Sequence, residues 1–260
     1  MSNERENYLK RIKRNKRIVL ISQISILILF LTIWELLSRF NIIDTFLLSS
    51  PTKVFNTIID LYKSNNLITH ILTTIKEILI SFILGNLIGF MVACILYLNK
   101  TLSKILDPYL TILNSLPKIA LGPLIIILAG ANTKSIIIMA LLISSIISIL
   151  NINTSFKNTD PDKIKLIKSM KATKLQELIY LVIPSNYSQI VDSFKVNISM
   201  SFVGVIMGEF LVSKEGIGYL INYGSQVFNM NLVISGIILL IILTIILYLS
   251  INLLEKKIKK

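Results

Sequence analysis

The ionisable side chains inside the apolar stretches of this sequence are the residues best placed to do chemistry. Asp192 and Lys195 stand three residues apart in one such stretch, and Glu209 follows near its end. A spacing of three favours an ion pair on one helix face, and a carboxylate at the end of a span is equally typical of a membrane interface. Lys118 lies in another stretch between two prolines, where its long side chain can carry the amine to the interface.

Uncharged polar side chains in the same stretches form a second group of candidates. Such side chains either line a path for a polar solute or join neighbouring membrane helices by hydrogen bonds. Together with the ionisable candidates, the predicted path residues are Asn114, Ser115, Lys118, Ser148, Asn197, Ser201 and Glu209.

The sequence lacks the motifs on which common hydrolytic enzymes depend. His70 is the single histidine and Cys94 the single cysteine, so we expect neither a histidine-based catalytic dyad nor a metal cluster. It contains no H-E-x-x-H motif, no G-x-S-x-G motif and no complete G-x-x-x-x-G-K-S phosphate loop. We therefore predict no catalytic residues, no metal and no cofactor. If the chain works against a gradient, a separate subunit must hydrolyse the ATP.

Long apolar runs supply the elements that must hold the candidate side chains. Of the 260 residues, 53% are hydrophobic and only 16% are charged. Several runs reach about 20 residues, the length that crosses a bilayer core roughly 30 Å thick. This composition predicts an all-α, polytopic membrane protein with six transmembrane helices. The predicted spans are residues 18–38, 78–98, 106–129, 135–152, 190–212 and 232–254.

The basic residues indicate how these six spans are oriented. Six spans place both termini on one side, and that side then carries 19 of the 27 lysines and arginines, against six on the other. Because basic residues accumulate in cytoplasmic segments, both termini are predicted to be cytoplasmic. The same distribution accounts for the net charge of +13 without a nucleic-acid partner.

A polar stretch at residues 160–184 separates two of the apolar runs and reads as two short helices with a joint. Asp160 is a suitable N-cap with Pro161 at the first helical position. The second helix can begin at Thr173, with Gln176 three residues on as a capping box. Amphipathic, lysine-rich helices of this kind lie on a membrane face. Periodicity alone fits an ordinary solvated basic loop equally well.

This stretch resembles the cytoplasmic EAA loop of ABC-importer permeases. In that loop a Glu-Ala-Ala triplet precedes a glycine and, further on, an Ile/Leu-Pro pair. Here Lys165-Leu166-Ile167 stand at the triplet, Lys171 at the glycine and Ile183-Pro184 at the terminal pair. Three hallmark positions depart from the pattern, including the acidic residue and the glycine.

Other segments, within residues 48 to 254, resemble permeases of the nitrate/sulfonate/taurine type in order and spacing. They are Leu48-Ser49-Ser50-Pro51-Thr52-Lys53-Val54, which is similar to an external L-P-S-P-x-x-V motif, Leu106-Asp107-Pro108, Leu116-Pro117-Lys118-Ile119-Ala120-Leu121-Gly122-Pro123-Leu124, Asn151, Asp160-Pro161, Glu209 and Gly216-Ile217-Gly218-Tyr219.

The resemblance implies the permease subunit of an ATP-driven ABC importer in a bacterial cell membrane. It implies a homodimer surrounded by membrane lipid, two cytoplasmic ATP-binding subunits and an extracytoplasmic solute-binding protein. Solutes in the family include sulfonates, taurine, nitrate, bicarbonate and vitamin precursors, and this sequence selects none of them. The residues implied to contact the ATPase as a coupling helix are Lys171, Ala172, Thr173, Lys174 and Leu175.

Charge, hydropathy and resemblance together give the expected division of the chain. The predicted regions are a basic cytoplasmic tail (1–17), the first transmembrane helix (18–38), an extracytoplasmic segment (39–70), a permease core of five transmembrane helices (71–254) that contains a cytoplasmic coupling-helix loop between spans four and five (153–187), and a second basic tail (255–260).

Two other classes of protein remain as alternatives. A secondary transporter or channel not driven by ATP would need ion-coupling residues in mid-membrane, and spans two, four and six are expected to hold none. A membrane-embedded enzyme would need a nucleophile with its base, or metal ligands. Association with an ATPase subunit distinguishes the importer from both.

Overall fold

The computed structural model describes residues 3–64 and 66–258, and every regular element in those ranges is helical. This confirms the predicted all-α class. Met1, Ser2, Lys259 and Lys260, which belong to the predicted basic tails, lie outside the described residues together with Asn65.

Thirteen α-helices, one short 3-10 helix and one π-helical turn make up the described chain. In order they are α1 (Asn3–Arg39), α2 (Thr45–Leu48), α3 (Pro51–Lys63), α4 (Asn66–Leu98), α5 (Lys100–Ser115), the 3-10 helix (Lys118–Leu121), α6 (Gly122–Ala129), α7 (Thr133–Lys157), α8 (Pro161–Ser169), α9 (Lys174–Glu177), the π-helical turn (Leu178–Val182), α10 (Ile183–Ser185), α11 (Tyr187–Val212), α12 (Ile217–Gln226) and α13 (Met230–Ile258).

Five helices are long and apolar enough to cross a membrane: α1, α4, α7, α11 and α13. A sixth crossing is possible only if α5 and the stretch Lys118–Ala129 count as one span, and these are bent by 89°. The predicted third span is therefore not one continuous helix. Pro117 has no N–H to donate, and the residue before it, Leu116, is extended with φ −65° and ψ 139°.

Two segments outside the long helices are more ordered than their composition suggests. The many polar side chains of residues 213–231 predict a loop, but these residues contain α12, because Ile217 and Leu220 are buried against the rest of the bundle. In α3, Val54 is buried and the half-buried Ile58 and Leu61 pack on the core, as their amphipathic spacing predicts. Helix α3 directly precedes α4 in the chain, and α12 directly follows α11.

Helices α4, α7 and α11 form the centre of the bundle, with α7 between the other two. On one side, Gly204 and Gly208 of α11 lie against Ala140 and Ile136 of α7. A Cβ added at Gly204 would stand 2.5 Å from the Cα of Ala140, and one at Gly208 would stand 2.9 Å from the Cα of Ile136. Two glycines four positions apart predict a close approach of helices, and this approach is confirmed.

The other side of α7 meets α4 through a matching set of small residues. Gly85 faces Ser144 and Gly89 faces Ser148, so that side-chain atoms of the serines occupy the space a Cβ would need. Near the end of α7, Phe156 is fully buried in an apolar cluster with Leu178 and Val182, which belong to the polar stretch that follows α7. The bundle and the polar stretch are thus parts of one packed unit.

Helix α1 is attached to the remainder chiefly through α3. Its most apolar window is not buried at all within the chain. Near its end, Glu35 accepts hydrogen bonds from the hydroxyl of Thr52 at 2.8 Å and from the backbone N–H of Thr52 at 3.1 Å. Arg39 donates to the same carboxylate at 2.9 Å. This polar contact fixes the end of α1 to the start of α3.

Candidate functional site

The polar stretch at residues 160–184 folds into two helices that meet at a sharp joint, and we call it the hairpin. Asp160 caps α8 by accepting from the backbone N–H of Asp162 at 2.9 Å, with Pro161 at the first helical position. At the joint Lys171 has a positive φ of 60°. A non-glycine residue in this left-handed region costs roughly 1–2 kcal/mol, which explains why a glycine suits this position in similar loops.

Helix α9 begins immediately after the joint with the predicted capping box. The backbone N–H of Thr173 donates to Oε1 of Gln176 at 2.8 Å, and the N–H of Gln176 donates back to the Thr173 hydroxyl at 3.3 Å. The two reciprocal bonds fix the direction in which the chain leaves the joint. The joint is therefore a defined turn and not an irregular loop.

Exposed apolar side chains surround the joint. Leu166 is 65% exposed, Met170 75% and Leu175 55%. Leu166 and Met170 lie on or directly after α8 and Leu175 lies on α9, so the two helices present apolar side chains beside the turn. Such a patch, surrounded by lysines, is typical of a surface that a partner protein covers. The predicted contact residues Lys171, Thr173 and Lys174 are exposed, and Ala172 is half-exposed.

The base of the hairpin is tied firmly to the long helices. Glu177 is buried and accepts a hydrogen bond from the hydroxyl of Tyr97 on α4 at 2.6 Å. Leu178 and Val182, in the π-helical turn, are buried against Phe156 of α7. Lys174 donates to the last carbonyl of α4, that of Leu98, at 3.3 Å. A force applied at the joint would reach α4 and α7 through these contacts.

A second polar region lies where α4, α11 and the start of α12 meet. Glu209 is fully buried and accepts hydrogen bonds of 2.6 Å from the hydroxyl of Thr74 and of 2.6 Å from the backbone N–H of Gly218. The hydroxyl of Thr74 accepts in turn from the N–H of Ile217 at 2.9 Å. The first turn of α12 is therefore held by side chains of α4 and α11, because its N–H groups have no partner within the helix.

Glu77 on α4 lies beside Glu209 and was not among the predicted residues. It is 1% exposed, and neither carboxylate oxygen has a hydrogen-bond partner among the described residues. The predicted second span, residues 78–98, contains no charged residue, but α4 begins at Asn66 and therefore also includes Glu77.

Four of the predicted path residues are enclosed between helices of the same chain. Ser148, Asn197, Ser201 and Glu209 are each 0% exposed. The amide of Asn197 donates to Oδ1 of Asn86 at 2.7 Å, and the hydroxyl of Ser148 lies 3.5 Å from the same oxygen. In the single chain these contacts join α4, α7 and α11. Serine and asparagine therefore serve here to connect neighbouring membrane helices, which is the alternative to lining a path.

The other three predicted path residues lie at the bend after α5. Asn114, Ser115 and Lys118 are exposed or half-exposed, and the amine of Lys118 donates to the carbonyl of Asn114 at 2.8 Å. Asp192 and Lys195 form the predicted ion pair at 3.1 Å. Within the ranges that the structure describes, no group of three or more histidine, cysteine or acidic side chains could hold a metal ion.

Comparison with known proteins gives a family match over most of the chain. Residues 85–260 match the family described as "Binding-protein-dependent transport system inner membrane component". A "Probable ABC transporter permease protein" of Haemophilus influenzae is 25% identical over 91% of this chain and 96% of its own length. The formylaminopyrimidine transport permease protein ThiX of Halalkalibacterium halodurans is 27% identical over 74% of this chain and 76% of its own.

Other relatives and one solved structure agree with this match. Some relatives are named as permeases for aliphatic sulfonates, taurine and nitrate. A chain of the inward-facing MetNI methionine ABC transporter has a TM-score of 0.64 at 16% identity. The aligned part is 74% of this chain and 95% of that one, so the helical fold is shared.

Proposed function

Because the chain belongs to the family of binding-protein-dependent transport system inner membrane components, we propose that its hairpin couples a cytoplasmic ATPase to the movement of a solute through the membrane. The chain is a multi-pass permease subunit of an ABC importer and not itself an enzyme. Such permeases work with ATP-binding subunits and with a binding protein that delivers the solute. The particular roles of its residues form the proposal.

The observation that carries the proposal is the exposed joint of the hairpin. Residues 171–173 join the two helices, with Lys171 and Thr173 exposed, and Leu166, Met170 and Leu175 expose apolar surface on either side. In a permease, an apolar patch at a rigid turn is suited to a groove on a partner protein. We assign Lys171, Ala172, Thr173, Lys174 and Leu175 to this contact with the ATPase.

The base of the hairpin supplies the route by which ATPase movement reaches the membrane. The hydrogen bond between Tyr97 and Glu177 and the burial of Val182 beside Phe156 make the hairpin move with α4 and α7. Packed interiors transmit displacement because they have little free volume. A shift of the joint would therefore alter the packing of the central three helices.

The proposed assembly and orientation are supported by the family and by the distribution of charge. We propose a complex of two copies of this chain, two ATP-binding subunits and one binding protein, embedded in membrane lipid. Both termini and the hairpin face the cytoplasm, in accord with the excess of lysine and arginine on that side. Residues 71–254 form the permease core, 39–70 the extracytoplasmic segment, 18–38 the first span, and 1–17 and 255–260 the tails.

The solute is proposed to be small and of the kinds carried by relatives, such as a sulfonate, taurine, nitrate, bicarbonate or a vitamin precursor. Sulfonates, taurine and nitrate all carry anionic oxygens. The amine of Lys118, at the bend beside Asn114 and Ser115, is a suitable partner for such a group if the bend faces the path between two copies. The four buried candidates would act by holding the helices that shape this path.

The test is a pull-down of the co-expressed ATP-binding subunit with the Ala172→Glu permease. Burying an unpaired charge at an interface costs several kcal/mol, so we expect ATPase association and transport to be lost while insertion and yield stay normal. The matched control is Ala131→Glu, the same change at an exposed position in the turn between α6 and α7. Retention of the ATPase by Ala172→Glu at the wild-type level would show that the hairpin is an ordinary basic loop.

A further inference from the structure

We propose that a basic cleft between the hairpin and the membrane helices binds the phosphate group of an anionic phospholipid. The cleft has a volume of about 420 Å³ and lies between the end of α4, the start of α5, the end of α7 and the hairpin. Five lysines line it: Lys100, Lys104, Lys157, Lys168 and Lys174. The inference rests on the proposed cytoplasmic position of the hairpin, because anionic headgroups are abundant on that membrane face.

The two carboxylates of the cleft pair with Lys157 and Lys168 and leave Lys100 and Lys104 unneutralised. Asp107 is paired with Lys157 at 2.5 Å, and Glu177 is engaged by Tyr97 and lies 3.8 Å from Lys168. Within the described part of the chain, Lys100 and Lys104 have no hydrogen-bonded or ionic partner, and both are exposed at the start of α5. Two unneutralised amines one helical turn apart attract an anion.

Two buried polar atoms at the cleft also lack partners among the residues that the structure describes. The hydroxyl of Ser103 and Oδ1 of Asn153 make no hydrogen bond there, although the side chains are only 5% and 3% exposed. Buried polar groups nearly always have a partner, so these atoms indicate a missing ligand. A hydroxyl can donate to a phosphate oxygen, and an amide oxygen accepts from a hydroxyl of the ligand. A phosphate diester that carries a glycerol headgroup offers both.

A lipid suits the cleft better than a free phosphate because part of its wall is apolar. Leu96 and Phe156 are buried and Ile164 is half-buried, and all three line the same space as the lysines. They lie at the ends of α4 and α7 and on α8, on the side that the proposed orientation gives to the cytoplasm. A phosphate in this place would bridge α5 and the hairpin, so that a bound lipid would stabilise the hairpin against α4 and α7.

The test measures retained lipid on the full-length permease by native mass spectrometry after purification from nanodiscs of phosphatidylglycerol and phosphatidylcholine. We expect wild type to retain phosphatidylglycerol and the double variant Lys100→Gln, Lys104→Gln to lose it roughly tenfold or more. The control replaces Lys163 and Lys165 by glutamine, two exposed lysines of α8 that do not line the cleft. This variant should retain lipid as wild type does.

Three results would overturn the inference. They are equal retention by wild type and the Lys100, Lys104 variant, equal retention of phosphatidylcholine and phosphatidylglycerol, and displacement of the lipid by millimolar glycerol phosphate, which would identify a site for soluble phosphates. ATPase pull-down with the same preparations separates the proposals. A permease that captures its ATPase without retaining lipid contradicts only the lipid site, whereas lost capture by wild type contradicts the proposed function.

Discussion

The buried carboxylate of Glu209 on α11 accepts a hydrogen bond of 2.6 Å from the backbone N–H of Gly218 in the first turn of α12. These two residues are nine positions apart, and between them the chain reverses through Gly216, whose φ is 108°. The bond places a carboxyl oxygen, a hydrogen-bond acceptor, at the N-terminal end of the short helix, where N–H groups lack partners within the helix. It therefore helps to position α12 on the bundle. The hydrogen bond from the Thr74 hydroxyl to Glu209 connects α4 to the same site.

Replacing Glu209 by glutamine should destabilise the permease. Glutamine has one acceptor oxygen where Glu209 uses two, so either Thr74 or Gly218 loses its partner in a buried place. The expected cost is about 1–3 kcal/mol, or a fall of a few degrees in the unfolding midpoint. The midpoint can be measured in detergent by size-exclusion chromatography after heating. Glu215→Gln, at an exposed carboxylate, should change nothing, and equal midpoints for both variants would contradict this account.

Gly204→Leu should prevent the close approach of α11 and α7. Even a Cβ at this position meets the backbone of Ala140 at 2.5 Å, and backbone atoms cannot move aside as a flexible side chain can. We expect a large loss of folded, monodisperse protein after extraction. Val203→Leu, at the exposed neighbouring position of α11, serves as the control for leucine itself. Comparable yields of the two variants would show that the protein still folds when α11 is moved away from α7 at this position.

Asn86→Ala should weaken the contact among the three central helices. It removes the acceptor used by the buried amide of Asn197, at a cost of about 1–3 kcal/mol. Helicity followed during titration with a denaturing detergent should show an earlier transition. Asn158→Ala, at an exposed position after α7, should leave the transition in place. If both variants and wild type unfold at the same concentration of denaturing detergent, the buried amide does not contribute to helix association.

Lys171 and Lys214 should lie on opposite sides of the membrane, as the excess of basic residues predicts. Single cysteines at these exposed positions, in a Cys94→Ala background, can be labelled with a membrane-impermeant maleimide. Only Lys214→Cys should react in intact spheroplasts, and Lys171→Cys should react after permeabilisation. Labelling of both from the same side would contradict the proposed orientation.

The sequence was informative where local chemistry determines structure. The caps at Asp160 and Thr173 and the glycine spacing on α11 were predictable because each depends on residues within a few positions or on helix periodicity. The joint was predictable as a break between two helices. The positive φ of Lys171 was not predictable from its own residue type, and the only signal was the glycine at this position in similar loops.

The parts that were missed depend on contacts between distant residues. Residues 213–231 contain many polar side chains, yet α12 forms because Ile217 and Leu220 are covered by other helices. Glu77 stood one residue outside the predicted span, and only its approach to Glu209, far along the chain, identifies it as part of a buried pair. The enclosed position of Ser148 and Asn197 likewise required the packing of three helices.

The contact of Glu35 with Thr52 has a consequence for how this protein can change over generations. Since most of α1 meets no other part of the chain, selection on that helix acts mainly on its hydropathy and on the few residues at its end. Neutral drift should therefore accumulate faster in α1 than in α4, α7 or α11, where each glycine faces a specific neighbour. The first helix is the place where a lineage can acquire a new sorting or assembly signal without disturbing the central bundle.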